Sequence, residues 1–291
     1  MAQSRQVFFI TLLILLFHSQ AGTDETSPCS SRPWRQIANP AFPENEKLTY
    51  KVDWEFVKAG KAVLLVNGVE QIKGRPSYHI SMDIRTSGLT SDLHRYTDHT
   101  DTWLDRDALV TLRYAQSVRE KNYKDDEKVD FDQACGRFQR HENRLDKKLA
   151  EDGRGDIPPD TLDFYGALFF LRTQPLAVGQ RYFLALYGGG KVIPVTAVVK
   201  KKEKLRTAAG KFVCFRIEPT TENRAAAKKI KQLRWWLSAD SRHLPVRIRM
   251  QAAVGHISAD LTGETTQRTS LSERKSIPAA NGGAGQPQSQ S

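Results

Sequence analysis

The chain has 291 residues, of which 39% are hydrophobic and 26% charged, and 44 Lys and Arg against 33 Asp and Glu give a formal net charge of +11. Three cysteines exclude a disulfide-dense scaffold. No apolar run of ~20 residues follows the N-terminal segment, which excludes a polytopic membrane protein. The composition predicts one large globular domain or two small ones.

The N-terminal segment is typical of a cleavable secretory signal peptide. Arg5 supplies positive charge, residues 7–17 are apolar except for one threonine, and Ser19 and Ala21 place small side chains before a cleavage site. An uncleaved membrane anchor is the alternative, but the apolar run is short for a hydrocarbon core of ~30 Å. The sequence therefore predicts cleavage after Ala21 and a basic periplasmic protein.

Alternating apolar and polar residues predict strands along most of the chain. Leu48–Phe56 alternates strictly, which is typical of an antiparallel strand with one buried face. A turn is predicted at Lys58–Lys61 and another at Gly188–Gly190. Short spacings between strands indicate hairpins rather than helical crossovers. Further strands are predicted at 62–66, 77–84, 95–104, 109–119, 126–132, 136–142, 181–187, 191–202, 211–218, 233–239, 245–251 and 255–262.

One segment is predicted to be a buried helix. Residues 162–172 are apolar nearly all round, Asp160 or Thr161 is the predicted cap, and Pro175 ends the helix. Such a helix must pack against a sheet or plug its concave face. A second, polar helix is predicted more weakly at 222–231.

The sequence therefore predicts a mainly β protein, with a large curved antiparallel sheet or half-barrel and one apolar helix packed on or inside it. The predicted organisation has a signal peptide at 1–21, an extended lead-in at 22–41 and a single antiparallel β domain at 42–264. The low-complexity stretch 265–291 is predicted to be a disordered tail.

Several segments resemble, in their order and spacing, a bacterial exported family known as the domain of unknown function 3108 family. They are Phe42–Tyr50 with Trp54 and Val57–Ala62, Asp98–Asp101, Ile157–Arg172 with Leu176 and Gly179-Gln180, and Trp236–Asp240 with Leu244–Val246 and Ala259–Leu261. The resemblance covers about 42–264, with Asn45 at a position where the family usually has glycine. It implies a periplasmic protein with a fold like that of the lipoprotein carriers LolA and LolB, and it carries over no catalytic residues.

Aromatic residues are the candidates for binding an apolar ligand. If the sheet encloses a cavity, these side chains would line it; the alternative is that they fill a core. The adjacent Trp235 and Trp236 must face opposite sides of a strand. The predicted ligand-binding residues are Trp54, Phe56, Tyr165, Phe169 and Trp236.

A basic cluster at a predicted hairpin end is the candidate for binding an anionic surface such as lipid headgroups, lipopolysaccharide or acidic glycan. The alternative is solubility and protection of a strand edge by lysine. Export disfavours nucleic acid as a partner. The cluster comprises Lys200, Lys201, Lys202, Lys204 and Arg206.

The strand segment Asp98–Asp101 is the candidate for acid–base chemistry. In a strand, Asp98 and Thr100 share one face and His99 and Asp101 share the other. Two ligands are too few for a metal site, and the alternative is a solvated strand face. No nucleophile-elbow, zinc-protease, P-loop or dinucleotide motif occurs, so no catalytic residue, metal ligand or cofactor is assigned.

The three cysteines allow one disulfide and one free thiol in an oxidising compartment. Cys214 lies within an apolar strand and is predicted to be a buried hydrophobic residue. The sequence leaves the pairing of Cys29, Cys135 and Cys214 open.

The favoured function is a non-enzymatic binding or carrier module for a lipid, a lipoprotein acyl chain or an acidic glycan of the cell envelope. One alternative is an envelope enzyme acting on glycan or lipid through Asp98, His99 and Asp101. Another is a scaffold that binds an envelope protein through an exposed strand edge.

Overall fold

The computed structural model describes residues 32–37, 42–88, 95–230, 232–251 and 255–266. The predicted signal peptide lies outside the described residues, as does the predicted tail apart from its first two positions. Within the described ranges, no helix is long and apolar enough to cross a membrane.

Within the described residues, fifteen strands form a single sheet. The strands are β1 Glu46–Trp54, β2 Val57–Ile72, β3 Arg75–Thr86, β4 Tyr96–Asp105, β5 Thr111–Glu120, β6 Tyr123–Asp132, β7 Arg137–Arg144, β8 Leu149–Asp156, β9 Thr161–Leu162, β10 Arg181–Gly188, β11 Lys191–Thr207, β12 Gly210–Thr220, β13 Arg234–Ser238, β14 Pro245–Gln251 and β15 His256–Thr266. The predicted mainly β fold with one large sheet is confirmed.

The sheet consists of two meanders joined by pairing of the first and last strands. Its order is β8-β7-β6-β5-β4-β3-β2-β1-β15-β14-β13-β12-β11-β10-β9, so β8 and β9 are the edges and the sheet is not closed. All pairs are antiparallel except β9 with β10. Because the strands alternate in direction, the connections β1–β2, β3–β4, β5–β6, β7–β8, β10–β11, β12–β13 and β14–β15 all lie at one end, here called the lower end.

The predicted apolar helix, α1, spans Phe164–Arg172 and is buried at every position except the first. Its N-cap is Asp163 rather than Asp160 or Thr161, because Thr161 already belongs to β9. The Asp163 carboxylate accepts hydrogen bonds from the backbone N–H groups of Tyr165 and Gly166, at 3.2 and 3.1 Å.

Two threonines tie the same carboxylate to the sheet. The hydroxyls of Thr102 on β4 and Thr111 on β5 each donate to Asp163 at 2.7 Å. At the other end of α1, Arg172 donates two hydrogen bonds to Glu46 of β1, at 2.7 and 2.8 Å. The helix therefore crosses the concave side of the sheet from β4 and β5 to β1.

The main apolar core surrounds α1. A second, smaller apolar cluster increases the curvature of the sheet. Val129, Phe131 and Phe138 of β6 and β7 pack with Tyr187 of β10. The Tyr187 hydroxyl also donates to Glu127 of β6 at 2.9 Å. These side-chain contacts bring strands near the two edges of the sheet together without hydrogen-bonded pairing.

The predicted turn at Lys58–Lys61 is wrong, because these residues lie inside β2. The chain reverses earlier, at Glu55, whose backbone is left-handed with φ of 51°. Gly60 serves close strand approach instead, since a Cβ there would lie 2.2 Å from the carbonyl oxygen of Arg85.

Strand β8 was not predicted, because its polar sequence shows no apolar alternation. In the described part of the predicted lead-in, Trp34 packs against an apolar cluster, and Arg35 Nε donates to the carbonyl of Ala108 at 2.6 Å. The predicted polar helix, α2, spans Arg224–Ile230, within the predicted range 222–231.

Cys135 is disulfide-bonded, and Cys214 is a free, buried thiol on β12, as predicted for that residue. Burial raises the pKa of the Cys214 thiol to about 12, so it is unreactive at neutral pH. Cys29 lies outside the described residues.

Candidate functional site

A row of imidazole and carboxylate groups crosses the outer face of β2, β3 and β4. Asp101 stands at its centre, with Oδ1 2.8 Å from His79 Nε2 and Oδ2 3.0 Å from His99 Nε2. The outer nitrogens of the two rings meet Glu70 at 2.7 Å and Asp83 at 3.0 Å. The predicted sharing of one face by His99 and Asp101 is correct.

Both histidines in the row are held toward the charged form. The hydrogen bond to Asp101 raises the pKa of His79 against the opposing effect of burial. Burial would lower the pKa of His99, but Asp83 and Asp101 outweigh it and raise the value. Burial would raise the pKa of Asp101, but the hydrogen bond from His79 and the charge of His99 lower it.

This arrangement does not provide a general base or a metal ligand. Each ring of His79 and His99 faces a carboxylate at both nitrogens, so neither nitrogen is open to a substrate proton or a metal ion. Within the described ranges, no group of three or more His, Cys, Asp or Glu is placed to hold a metal ion.

Asp98 is separated from the row by the sheet. It lies on the inner face of β4, 5% exposed, where Tyr96 and Thr100 donate to it at 3.1 Å and Gln116 at 2.9 Å. The predicted grouping of Asp98 with His99 and Asp101 as one catalytic set is therefore wrong, because successive strand residues point to opposite faces.

A cleft of about 340 Å³ opens beside the row, across the outer face of β4 to β7. We call it the outer-face cleft. The small side chains of Ala115 and Ser117 leave the space between larger residues on the flanking strands. The lining residues are His99, Asp101, Ala115, Gln116, Ser117, Asp126, Glu127, Lys128, His141 and Asn143.

Some of the charged side chains that line the cleft already have an ion-pair partner, whereas one lysine does not. Asp126 is ion-paired with Arg119 at 2.8 Å, and His141 contacts Asp152 at 2.6 Å. Lys128, exposed on β6, has no ion-pair partner within the described residues. The ring nitrogens of His99 are already bonded to Asp83 and Asp101, so Lys128 carries the positive charge that the cleft offers to a ligand.

Trp103 supports the row from the neighbouring outward position of β4. Its ring stacks on His79, with centroids 4.7 Å apart and planes 11° from parallel, and its Nε1 donates to Glu70 at 2.8 Å. The sequence offered a signal for this part of the site only in the alternation of β4. The partners His79 and Glu70 come from strands whose register the sequence did not specify.

The structure divides the five predicted ligand-binding aromatics among three environments. Tyr165 and Phe169 are buried in the main core on α1, and Trp54 packs partly buried against it. The prediction that Phe56 lines the interior is wrong, because this residue lies in the β1–β2 turn and is 100% exposed.

Trp236 is also not part of the main core. It lies in a separate small cluster with Cys214 and Val246, and its Nε1 donates to Glu203 at 2.7 Å. Its neighbour Trp235 is the one buried in the main core. The prediction that the two rings point opposite ways is correct, but the choice of the interior one is not.

All five predicted anionic-surface residues are exposed on the upper half of β11. They do not form one face, since the strand alternates: Lys201 pairs with Glu203 at 2.5 Å, whereas Lys202 lies over the Phe215 ring at 5.2 Å. Lys200, Lys204 and Arg206 complete the group.

The sequence did not predict an acidic wall on the inner face of β6 and β7. Asp125 and Glu142 are each 2% exposed, and Asp125 Oδ1 and Glu142 Oε1 have no hydrogen-bond partner in the part of the chain described. Burial, reinforced by the charge of Glu142, raises the pKa of Asp125 to about 6.

Asp125→Asn is expected to stabilise the protein above pH 7 by about 1–2 kcal/mol. A raised folded-state pKa means that the stability contribution of Asp125 is fully present below its unfolded value near 3.8 and is lost as pH rises through about 6. The amide variant escapes this loss and should gain nothing at pH 4. Urea denaturation across this pH range measures the difference.

Asp126→Asn is the matched control for this experiment. Asp126 is the next residue and faces outward; burial would raise its pKa, but Arg119 lowers it. This variant should show no gain at high pH. Equal behaviour of the two variants would contradict the assignment of the effect to the inner face.

These features define a β-barrel-like protein with an open sheet, a main core filled by α1 and a polar cleft on its outer face. The chain belongs to the family described as Protein of unknown function (DUF3108), whose family model matches residues 49–262.

A solved structure with a similar fold is the crystal structure of a beta-barrel-like protein of the domain of unknown function DUF1849 from Brucella abortus. The TM-score is 0.52 at 12% identity, over 81% of this chain and 100% of that chain. This likeness concerns the fold alone. No curated protein matches the chain, and the kinship with LolA and LolB stays a prediction.

Proposed function

We propose that this chain is an exported, non-enzymatic binding module that holds an acidic glycan of the cell envelope in the outer-face cleft. The observation that carries the proposal is the cleft itself, in which Lys128, without an ion-pair partner among the described residues, stands beside polar side chains. An ammonium group donates charge-assisted hydrogen bonds to carboxylates, and amide and hydroxyl side chains bond to sugar hydroxyls.

An acyl chain fits the described interior less well. Ala167, Leu168, Phe169 and Leu171 of α1 are all fully buried, and they occupy the concave space that a carrier would need to keep open. Among the predicted ligands, an acidic glycan therefore has more support than a lipid chain.

Export rests on separate observations. The N-terminal residues are typical of a signal peptide, and the disulfide at Cys135 suits an oxidising compartment. The exposed lysines of β11 add to a basic surface that attracts polyanions.

The test measures calorimetric binding of a soluble polyuronate oligosaccharide, with a dextran oligosaccharide as the neutral probe. Lys128→Ala should weaken polyuronate binding about tenfold or more, because a charge-assisted hydrogen bond is lost. Ala115→Phe should abolish polyuronate binding, since the larger ring occupies the cleft. Dextran should bind weakly to every form.

Thr196→Phe on β11 is the matched control, because it adds the same ring to a partly exposed strand position outside the cleft. It should leave binding unchanged. The proposal is overturned if the parent protein ignores polyuronate, or if Ala115→Phe and Thr196→Phe bind it equally well.

A further inference from the structure

The lower end of the sheet carries exposed apolar residues at two of its turns. Phe56 is 100% exposed and its neighbour Val57 is 55% exposed, both at the β1–β2 reversal. At the β7–β8 turn, Leu145 and Leu149 are 40% and 42% exposed. A fully exposed phenylalanine at a turn contributes nothing to the core, and none of the described residues covers this ring.

The same end is rich in positive charge. Exposed basic residues lie on or next to its connections, at Lys58, Arg95, Lys121, Lys147, Lys148 and Arg224. Within the described ranges, exposed acidic residues on or next to these connections are fewer: Glu55 contacts His256 at 2.9 Å, Asp146 pairs with Arg144 at 3.1 Å, and Glu222 is exposed. Basic groups around apolar tips are complementary to a negatively charged bilayer surface.

The Phe56 turn is held in place rather than loose. The backbone N–H of Glu55 donates to the carbonyl of His256 at 2.8 Å, which ties the β1–β2 turn to the start of β15. A fixed turn presents the ring without the ordering cost that a flexible loop would have on binding.

From this placement we propose that the lower end docks on an anionic lipid bilayer, with Phe56 entering the interfacial region and the surrounding lysines contacting lipid headgroups. This surface is distinct from the outer-face cleft and lies at the opposite end of β11 from Lys200–Arg206. A bound bilayer would leave the outer-face cleft accessible from the side.

The experiment is vesicle flotation of the chain beginning at Gly22, which removes the apolar N-terminal segment as a source of binding. Phosphatidylcholine vesicles with and without phosphatidylglycerol are the probes. The parent protein should float with the anionic vesicles and remain in solution with the neutral ones. Phe56→Ser should reduce partitioning about fivefold or more, and Lys147→Glu with Lys148→Glu about tenfold or more.

Two matched variants make the result specific. Phe183→Ser removes a phenylalanine that is 82% exposed on β10, far from the turns, and should change partitioning less than about twofold. Lys202→Glu with Lys204→Glu makes the same change of charge on β11, at the other end of the sheet, and should weaken binding much less than reversal at Lys147 and Lys148. Absence of binding to anionic vesicles, equal effects of the two phenylalanine variants, or loss of binding only on reversal at β11 would each overturn the proposal.

Discussion

Phe169→Asp is expected to unfold the protein rather than merely empty a ligand site. Phe169 is fully buried on α1, its ring lies edge-on to Phe42 with centroids 4.9 Å apart, and the Arg172 guanidinium lies 4.8 Å from the ring centroid. Loss of such a ring costs about 3–5 kcal/mol. A carboxylate placed there adds the cost of an imperfectly paired buried charge.

The combined loss is comparable to the whole stability of an ordinary domain, about 5–15 kcal/mol. Circular dichroism should show that the variant is unfolded at 25 °C, and thermal denaturation should show no cooperative transition. The milder Phe169→Leu should fold with a lower midpoint, since it keeps most of the apolar volume.

Phe183→Asp is the control, because this phenylalanine is exposed on β10. It should leave the thermal midpoint almost unchanged. A folded Phe169→Asp with an intact sheet would contradict the filled core, and it would restore the carrier interpretation in which α1 borders an open cavity.

Breaking the ion pair between Glu46 and Arg172 is expected to have a similar effect. The two side chains are 3% and 2% exposed and make two hydrogen bonds. Glu46→Gln or Arg172→Met leaves one charge buried without its partner, which costs about 3–5 kcal/mol. The pair also fixes the C-terminal end of α1 against β1. In the single variants, this end of the helix should therefore lose its packing before the rest of the fold.

The double variant Glu46→Gln with Arg172→Met should recover much of the loss, because no isolated charge remains. Urea denaturation of the four forms gives the coupling energy. Single variants that lose less than about 1 kcal/mol would contradict the argument and indicate that water reaches the pair.

Part of the fold follows from local sequence pattern. The alternation in β1 places Leu48, Tyr50 and Val52 in the core, and all three are buried. The apolar character of 162–172 predicted a buried helix packed on or inside a sheet, and α1 is buried against the sheet. Both inferences hold because side-chain periodicity depends only on the local backbone.

The candidate site was predictable only in part. Alternation placed His99 and Asp101 together on one face, and their separation from Asp98 follows from the same rule. The partners His79 and Glu70, the cleft floor at Ala115 and the wall at Lys128 depend on the register of four neighbouring strands, which the sequence of any one strand does not specify.

The sequence by itself determined the mainly β class, the buried helix, the family and the basic charge. Only the tertiary structure decided that Trp235 rather than Trp236 faces the core, that Phe56 is exposed, and that Glu46 meets Arg172 across 126 positions of the chain. The physical reason is that periodicity specifies which residues share a face. Which face is enclosed, and what lies opposite it, depends on how distant strands pair and curl around the helix.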